Sequence, residues 1–582
     1  MQDHIGFSKP LGQQIPNTRH AISVSLPTWD SIVAFANKDP AILGALKGGY
    51  PRFIFHKDVL AVFNRCLEIY MTTDLHNKSG VEEESRRLGC LVFPSITYAT
   101  DCADYISCAA AIERDKTMVR RIDLANNRVA DLNEGDTEGS NLGDVELYAV
   151  MYPQEHHDYA KQFWRISGTG ISSRLAEDVL KENKAELEEQ ERSLEHDTTR
   201  ERLGSGWTDH RILQHRILNL MERVALPSPE TPNHDRSTGC DDVYLYATGM
   251  AAIYSLTKIL RPWCGTEAVV FGFPYDSTLR VQQLFAEGCL FYGNGTSNEL
   301  DLLEAHLEEQ KELQHHKTQY VWCECALNPL VRTPDLDRIR RLADKYGFLV
   351  VVDDTTGTSA NVNVLDVADV VVTSLSKSFN GRADIMGGSI VMNRQGRHYH
   401  KLHELFTSPE NAGYTNSQLL YHRDAKQIEF NSRDYLPRVA KMNENAARLV
   451  DMLTPLAGPN RPLQRIYYTR DDPNYRARMR QETTNFVPGY GGLFSLAFSS
   501  VRVARAFFDA LDVCKGSSLG AEMTLCQPYV QTVFAKRKEW VAQYGLDEAL
   551  VRCSIGVEDA EVLEKVFRAA METAENAAAD HP

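Results

Sequence analysis

None of the 12 cysteines forms a Cys-x-x-Cys pair, so the sequence carries neither a zinc-binding spacing nor a compact disulfide framework. The thiols are expected to be reduced and mostly buried, as in a cytosolic protein. Positive charge is in short supply: 63 Lys and Arg stand against 79 Asp and Glu, a net charge of -16. Nucleic acid and anionic membrane repel such a chain at long range, so neither is expected as a main partner. No apolar run reaches membrane-spanning length. The first ten residues show no apolar core and no basic presequence, and the last residues carry no anchor or peroxisomal signal. A cytoplasmic location is therefore expected.

What is present suits a soluble protein of several domains. The 582 residues are 43% hydrophobic and 24% charged, enough for two or three domains with ample core. Residues 1–155 mix proline-rich loops with helical patches such as Lys57–Tyr70 and show no chemical motif. They read as an N-terminal extension or arm of unassigned role. The charged run Glu182–Arg192 reads as a solvated helix or a mobile insertion. The pair His315-His316 lies in a similar charged run, so a metal site is not expected there.

Between Val243 and Met392 short β-rich runs alternate with helical ones; the runs are 268–271, 320–322, 348–352 and 370–372. That alternation predicts an α/β domain over 156–400, with a mainly parallel sheet covered on both faces. Residues 401–582 read as a smaller α+β domain. It holds a long helix near Arg433–Val450, strands at Gly492–Phe498 and Leu550–Ile555, and a closing helix from about Asp559 to Glu575.

Ligands of such a sheet bind beyond the carboxyl ends of its strands. One run ends in Ser374-Leu375-Ser376-Lys377, two hydroxyls and an amine behind three valines. An amine beyond a buried strand is desolvated, which favours the neutral, nucleophilic form that a Schiff-base lysine requires. The other strand ends add a glycine turn opening a helix at Gly249-Met250, an aromatic ring at Tyr275, Asn328-Pro329, and Asp353-Asp354-Thr355. Each has an ordinary explanation alone: a strand-to-helix turn, a loop tyrosine, an Asn-Pro turn, a helix cap. On one rim, a phosphate cradle, a flat aromatic, a buried acid and an amine fit a phosphorylated aromatic aldehyde held as an imine.

These residues resemble the Cys/Met-metabolism family of fold-type-I pyridoxal-phosphate enzymes, which includes cystathionine γ-synthase, cystathionine lyases and O-acetylhomoserine sulfhydrylase. The resemblance runs from about Asp242 to the end. It implies that Gly249 and Met250 give backbone N–H groups to the cofactor phosphate and that Tyr275 stacks on its ring. Glu324-Cys-Ala-Leu-Asn-Pro-Leu330 is similar to the family's Glu-x-Pro-x-Asn-Pro-Leu, which places Asn328 on the phenolic oxygen. Asp353, with Thr355 beside it in Val-Asp-Asp-Thr, is implied as the pyridinium partner. Ser374 and Ser376 are implied on the phosphate, and Lys377 as the imine lysine. Arg552, in Val-Arg-Cys-Ser-Ile-Gly-Val-Glu558, is implied as the clamp on the substrate α-carboxylate.

Two segments depart from the family pattern. Members carry a Tyr-x-Arg near the N-terminus that completes the neighbouring subunit's phosphate site; the nearest match read here is Phe163-Trp164-Arg165, which points to Arg165. Ser518-Leu-Gly-Ala-Glu-Met-Thr524 resembles Ser-Leu-Gly-Gly-Val-Glu-Ser, a substrate-defining segment, with Thr524 for the serine and the family glutamate at Met523 or Glu522. The segment His20–Trp29 resembles the longer, fungal-type cystathionine γ-synthase-like branch. The resemblance implies amino-acid substrates and a homodimer or homotetramer with its site shared between subunits. It implies γ-replacement on an O-acetyl- or O-succinyl-homoserine, with Lys377, Tyr275 and Asp353 in the chemistry. Cysteine is the leading nucleophile. A carbon or amine nucleophile, an elimination, or a cofactor-less scaffold are the alternatives.

Overall fold

The computed structural model of the protein describes residues 7–74, 88–124, 128–130, 146–181, 208–222, 240–263, 267–313 and 318–579. The run Glu182–Arg192 and the His315-His316 pair lie outside the described residues. Among the described residues no helix is long and apolar enough to cross a membrane, and no cluster of His, Cys, Asp and Glu could hold a metal ion.

The chain opens with a short antiparallel ribbon, β1 (Gln14–Ile15) with β2 (Ser23–Val24). Next comes an antiparallel sheet of β3 (Leu88–Phe93), β4 (Met118–Asp123), β5 (Arg128–Ala130) and β6 (Leu147–Pro153), ordered β3-β6-β4-β5. The central sheet has seven strands: β7 (Val243–Tyr246), β8 (Glu267–Phe271), β9 (Gly288–Tyr292), β10 (Thr318–Glu324), β11 (Leu349–Asp353), β12 (Val370–Thr373) and β13 (Gly388–Met392). Their spatial order is β7-β13-β12-β11-β10-β8-β9. All neighbours pair in parallel except at β13, which runs against both β12 and β7.

The unbroken valine runs follow from this position. Leu349, Val351, Val370 and Val372 enter one core cluster, while Val350, Val352 and Val371 enter the cluster on the opposite face. Successive side chains point to opposite faces, so a strand covered on both sides must be apolar throughout. All four residues of β12 are buried, and the chain leaves this dry strand directly into the loop that carries Lys377.

The N-terminal sheet is fused to the central one through a single core. Phe163, on the helix His157–Ser167, meets Phe93, Tyr105, Tyr254 and Phe285 edge-on or tilted. That places residues from β3 and from two central-domain helices around one ring. Asp101, on the helix Ile96–Ala110, anchors the same junction: its carboxylate accepts from Tyr254 (2.8 Å), Tyr414 (2.7 Å) and Lys258 (2.9 Å).

The C-terminal sheet is ordered β14-β15-β18-β17-β16: β14 (Leu463–Tyr467), β15 (Leu493–Phe498), β16 (Cys514–Lys515), β17 (Leu525–Pro528) and β18 (Leu550–Ser554). Helices Tyr435–Leu453, Val501–Ala510 and Ala560–Ala579 pack on it. Pro437 falls in the first turn of the first of these helices, where no intrahelical donor is lost. The N-terminal segment reaches this far, with Leu26, Trp29 and Ile32 sunk in the C-terminal core. The backbone N–H of Trp29 donates to Asp509 at 2.7 Å.

Removing the Asp101 carboxylate leaves two tyrosine hydroxyls and one lysine without their shared acceptor. Asp101→Ala is expected to cost about 3 kcal/mol of stability. A lowered urea midpoint at unchanged slope checks this; an unchanged midpoint would contradict the anchoring role.

Candidate cofactor and substrate site

A cavity of about 760 Å³ opens beyond the carboxyl ends of the central strands, within the size range of ligand sites. Three parts of the chain line it. The central domain contributes Gly249, Met250, Tyr275, Asn328, Asp353, Thr355, Ser374 and Lys377. The C-terminal domain gives Ser518, Tyr529 and Arg552, and the N-terminal region gives Tyr50, Arg52 and Arg165.

Gly249 starts the helix Gly249–Ile259, whose N-cap Thr248 accepts from the Ala251 N–H at 2.8 Å. A Cβ at position 249 would lie 2.7 Å from Ser374 Cβ, so glycine is what lets the β12 loop close against this helix end. The helix N-terminus presents backbone N–H groups and a positive dipole end to an anion. The Ser374 N–H donates to Thr355 Oγ1 at 2.8 Å, tying the loops after β11 and β12 together.

Lys377 Nζ donates to Ser518 Oγ at 2.9 Å and to the Tyr50 hydroxyl at 3.5 Å. Burial pulls its pKa down to about 7; Arg52 and Arg552 push the same way and Tyr275 opposes them. Ser518 holds φ at 103°, a strained conformation for a serine, at the residue that receives the lysine amine. Asp353 ends β11, where burial lifts its carboxyl to about 6 against the hydrogen bonds from Thr355. Burial and then repulsion from Asp353 push Glu324 well above the carboxylate range, while its Oε1 accepts the Tyr275 N–H at 2.7 Å.

Arg552 is buried; it donates to Asn328 Oδ1 at 3.2 Å and to the Ser518 carbonyl at 2.6 Å, and its Nε has no partner among the described residues. Asn328 Nδ2 donates to the Tyr529 hydroxyl at 3.2 Å, and the Arg552 guanidinium sits 4.9 Å from the Tyr529 ring centroid. Arg52 is also buried, donating to the Arg165 carbonyl at 2.5 Å and to the Tyr275 hydroxyl at 2.6 Å. Among the described residues neither guanidinium pairs with a carboxylate, and no cation faces Asp353.

Two residues expected in the site turn away from it. Ser376 donates to the Gly387 carbonyl at 3.2 Å and accepts the Gly387 N–H at 3.0 Å. Thr524 is buried, donates to Glu558 Oε2 at 2.9 Å and accepts from the Gly556 N–H at 3.0 Å. Neither lines the cavity. Glu522 points to Arg382 instead. The sequence reading passed over Tyr50 and Arg52. Their signal is present, because Tyr50-Pro51-Arg52 spells a Tyr-x-Arg with both residues intact.

The donor set fits pyridoxal phosphate: a helix N-terminus and Arg52 suit a phosphate, Asp353 lacks the cation that a protonated ring nitrogen would supply, and Lys377 is a desolvated amine. Residues 237–572 match the family model described as Cys/Met metabolism PLP-dependent enzyme, and the chain belongs to that family. Residues 62–172 match the model described as fungal trans-sulfuration enzyme, N-terminal domain. The protein is thus a fold-type-I enzyme that uses pyridoxal phosphate, in the cystathionine γ-synthase-like group.

Among its relatives is the cystathionine gamma-synthase-like enzyme iboG2 of Amanita muscaria, 34% identical over 98% of each chain. Alanine racemase ungC of Aspergillus violaceofuscus is 33% identical over 97% of this chain and 96% of its own. Cystathionine gamma-synthase of Neurospora crassa is 31% identical over 97% and 98%. A crystal structure of cystathionine gamma synthase from Xanthomonas oryzae pv. oryzae, in complex with aminoacrylate and cysteine, has a TM-score of 0.51 at 25% identity. It covers 64% of this chain and 87% of that one.

Burial lowers the pKa of Lys377 to about 7, so capture of an aldehyde at this amine is expected to follow that titration. The neutral amine attacks, so the rate at which cofactor-free protein takes up pyridoxal phosphate should rise through a midpoint near 7. A midpoint near that of a solvated lysine would contradict the buried geometry.

Proposed function

We propose that the protein replaces the acyloxy group at the γ-carbon of an O-acyl-L-homoserine, with the thiol of L-cysteine as nucleophile, giving cystathionine. The observation that carries the reading is the placement in one cavity of Lys377, its pKa lowered to about 7, and Arg552, which has no paired carboxylate among the described residues. Bound pyridoxal phosphate supplies the electron sink that absorbs carbanion charge.

Arg552 clamps the substrate α-carboxylate through its planar fork, with its orientation fixed by Asn328 and the Ser518 carbonyl. Lys377 Nζ, whose neutral form is favoured by burial, takes the proton from the α-carbon. Tyr275, with its hydroxyl on Arg52, is the second group positioned to move a proton, as loss of a γ-substituent requires. Asp353 would hold the cofactor ring nitrogen, whose positive charge would favour the ionised carboxylate against the burial that raises it. Gly249, Met250, Ser374 and Thr355 form the phosphate side.

The cavity lining also includes Lys38, Lys161, Arg165, Arg280, Lys536 and Arg537 against Asp158 and Asp276. Asp276 is already engaged by Arg280 (3.0 Å) and Arg537. A cationic lining on a chain of net charge -16 favours anionic ligands, the cofactor phosphate and an O-succinyl ester among them. A carbon or amine nucleophile is the second reading. It is favoured by the Ser518–Thr524 segment, in which Thr524 and Glu522 both turn out of the cavity.

Incubation with O-acetyl-L-homoserine and cysteine should yield cystathionine by mass. A 2-oxobutanoate product with or without cysteine would overturn the replacement reading in favour of elimination. Lys377→Ala should lower turnover by about 10³-fold or more. Arg552→Lys should raise the KM for the homoserine ester by about 10- to 100-fold, because an ammonium cannot reproduce the fork. An unchanged KM would remove Arg552 from the substrate site.

A further inference from the structure

We propose that the cavity carries an apolar wing that seats the body of the nucleophile, so that the protein also transfers to the γ-carbon a nucleophile larger and less polar than cysteine. Its chemical class is a thiol or an enolisable carbon that bears an alkyl or aryl group and no ammonium. The inference rests on the γ-replacement reading of the site and extends it to a second kind of co-substrate; cysteine is then a small nucleophile that leaves the wing unfilled.

Three observations carry it. First, part of the lining belongs neither to the cofactor side nor to the carboxylate clamp. The N-terminal segment contributes Leu26, Ile32, Phe35, Leu43 and Phe53, and the chain leaving the helix Tyr529–Val533 contributes Val533 and Phe534. The helix Trp29–Ala36 packs against that second helix, with Trp29 and Ile32 sunk in the C-terminal core and Phe35 left half-buried. Leu43 and Phe53 stay 41% and 38% exposed. Large apolar side chains left uncovered along a catalytic cavity are surface that a ligand removes from water.

Second, the wing begins where the chemistry takes place. Lys377 Nζ lies 4.8 Å from the Tyr50 ring centroid, and the Tyr50 and Phe53 rings are 5.8 Å apart. On the other side, the Tyr529 ring carries the Arg552 guanidinium at 4.9 Å, and the same helix ends at Val533. The wing thus adjoins the reacting amine and the carboxylate clamp at once. A segment exchanged with a second copy of the chain would bring the same side chains, so the wall is the same whichever copy supplies it.

Third, the cavity is poorly furnished for an ammonium. Its lining acids among the described residues are Asp158, Asp276, Glu324 and Asp353. Asp276 is engaged by Arg280 and Arg537, Glu324 accepts the Tyr275 N–H, and Asp353 accepts the Thr355 N–H at 2.9 Å. Asp158 is exposed, in the first turn of the helix His157–Ser167 and within electrostatic reach of Lys161. Lys38 and Lys161 line the same cavity. These cations favour the deprotonated form of a thiol or an enol and repel an ammonium.

The exchange balances without an outside oxidant or reductant. The Cγ–O bond breaks and the acyloxy group leaves as a carboxylate with the electron pair. The Cγ–S or Cγ–C bond forms from the nucleophile's own pair, and the nucleophile's proton is released.

The test uses the holoenzyme with O-acetyl-L-homoserine and two matched pairs of nucleophiles: methanethiol against phenylmethanethiol, and acetylacetone against benzoylacetone. Products are read by mass. Within a pair the reacting atom is the same and only the apolar body differs. The phenyl member of at least one pair should have a KM about 10- to 100-fold lower, the gain from burying one aromatic group. A gain in the thiol pair identifies sulfur as the attacking atom, and a gain in the diketone pair identifies carbon. Phe53→Ser and Leu43→Ser should each shrink that gain by about 3- to 10-fold. A merely structural loss would act on both members of a pair alike and leave the gain intact.

Cystathionine from cysteine with no gain in either pair, or with no reaction in either, would overturn the wing and leave γ-replacement standing. A gain unchanged in both variants would also overturn it. No product from any nucleophile, cysteine included, would overturn the γ-replacement reading and this one with it. Should Phe53→Ser fail to fold, Leu43→Ser, at an exposed position, decides alone.

Discussion

Arg52 and Arg552 are buried and Lys377 is half-buried around one cavity, with no carboxylate paired to either guanidinium among the described residues. That uncompensated positive charge is the constraint on which the rest of the site depends. Burial of charge without a counter-ion is unfavourable, and each group answers it differently. Burial lowers the pKa of Lys377 to about 7, which eases loss of its proton. The guanidiniums cannot lose theirs, so they are held by carbonyl, amide and phenol oxygens and present their charge to the cavity. The cavity is thereby suited to two anions, a phosphate beside Arg52 and a carboxylate beside Arg552. The acids present, Asp353 and Glu324, are themselves raised by burial.

The fold holds this arrangement by drawing the charges from different rigid elements. Lys377 follows a fully buried strand, Gly249 starts a helix packed on both neighbouring layers, and Arg552 is inside β18. Arg52 comes from the N-terminal segment, which is threaded between the C-terminal core and the N-terminal sheet. Asp101 and the ring cluster around Phe163 fix that sheet to the central domain. The N-terminal region is therefore part of the cavity's architecture, which a chain of separable domains would not give.

The central sheet was legible because burial on both faces leaves continuous valine runs, and the strand ends named Lys377, Gly249, Asp353 and Asn328 directly. The reversal of β13 was not, since strand direction leaves no mark on composition. Nor was the N-terminal sheet, whose antiparallel strands lie outside the alternation of strand and helix that marks the central domain. Tyr50 and Arg52 were missed because they lie in irregular backbone with no periodicity, and their meaning depends on a contact with Tyr275 more than two hundred residues away. Ser376 and Thr524 show the opposite limit. Their place in a motif was readable, but Gly387 and Glu558 decide where their hydroxyls point.

Reductive trapping of the bound cofactor, followed by peptide mapping, bears most directly on the proposed role of Lys377. Borohydride treatment of the holoenzyme should fix a pyridoxyl group on the peptide containing Lys377 and on no other lysine. A pyridoxyl group on a different lysine, or none on Lys377, would contradict the account.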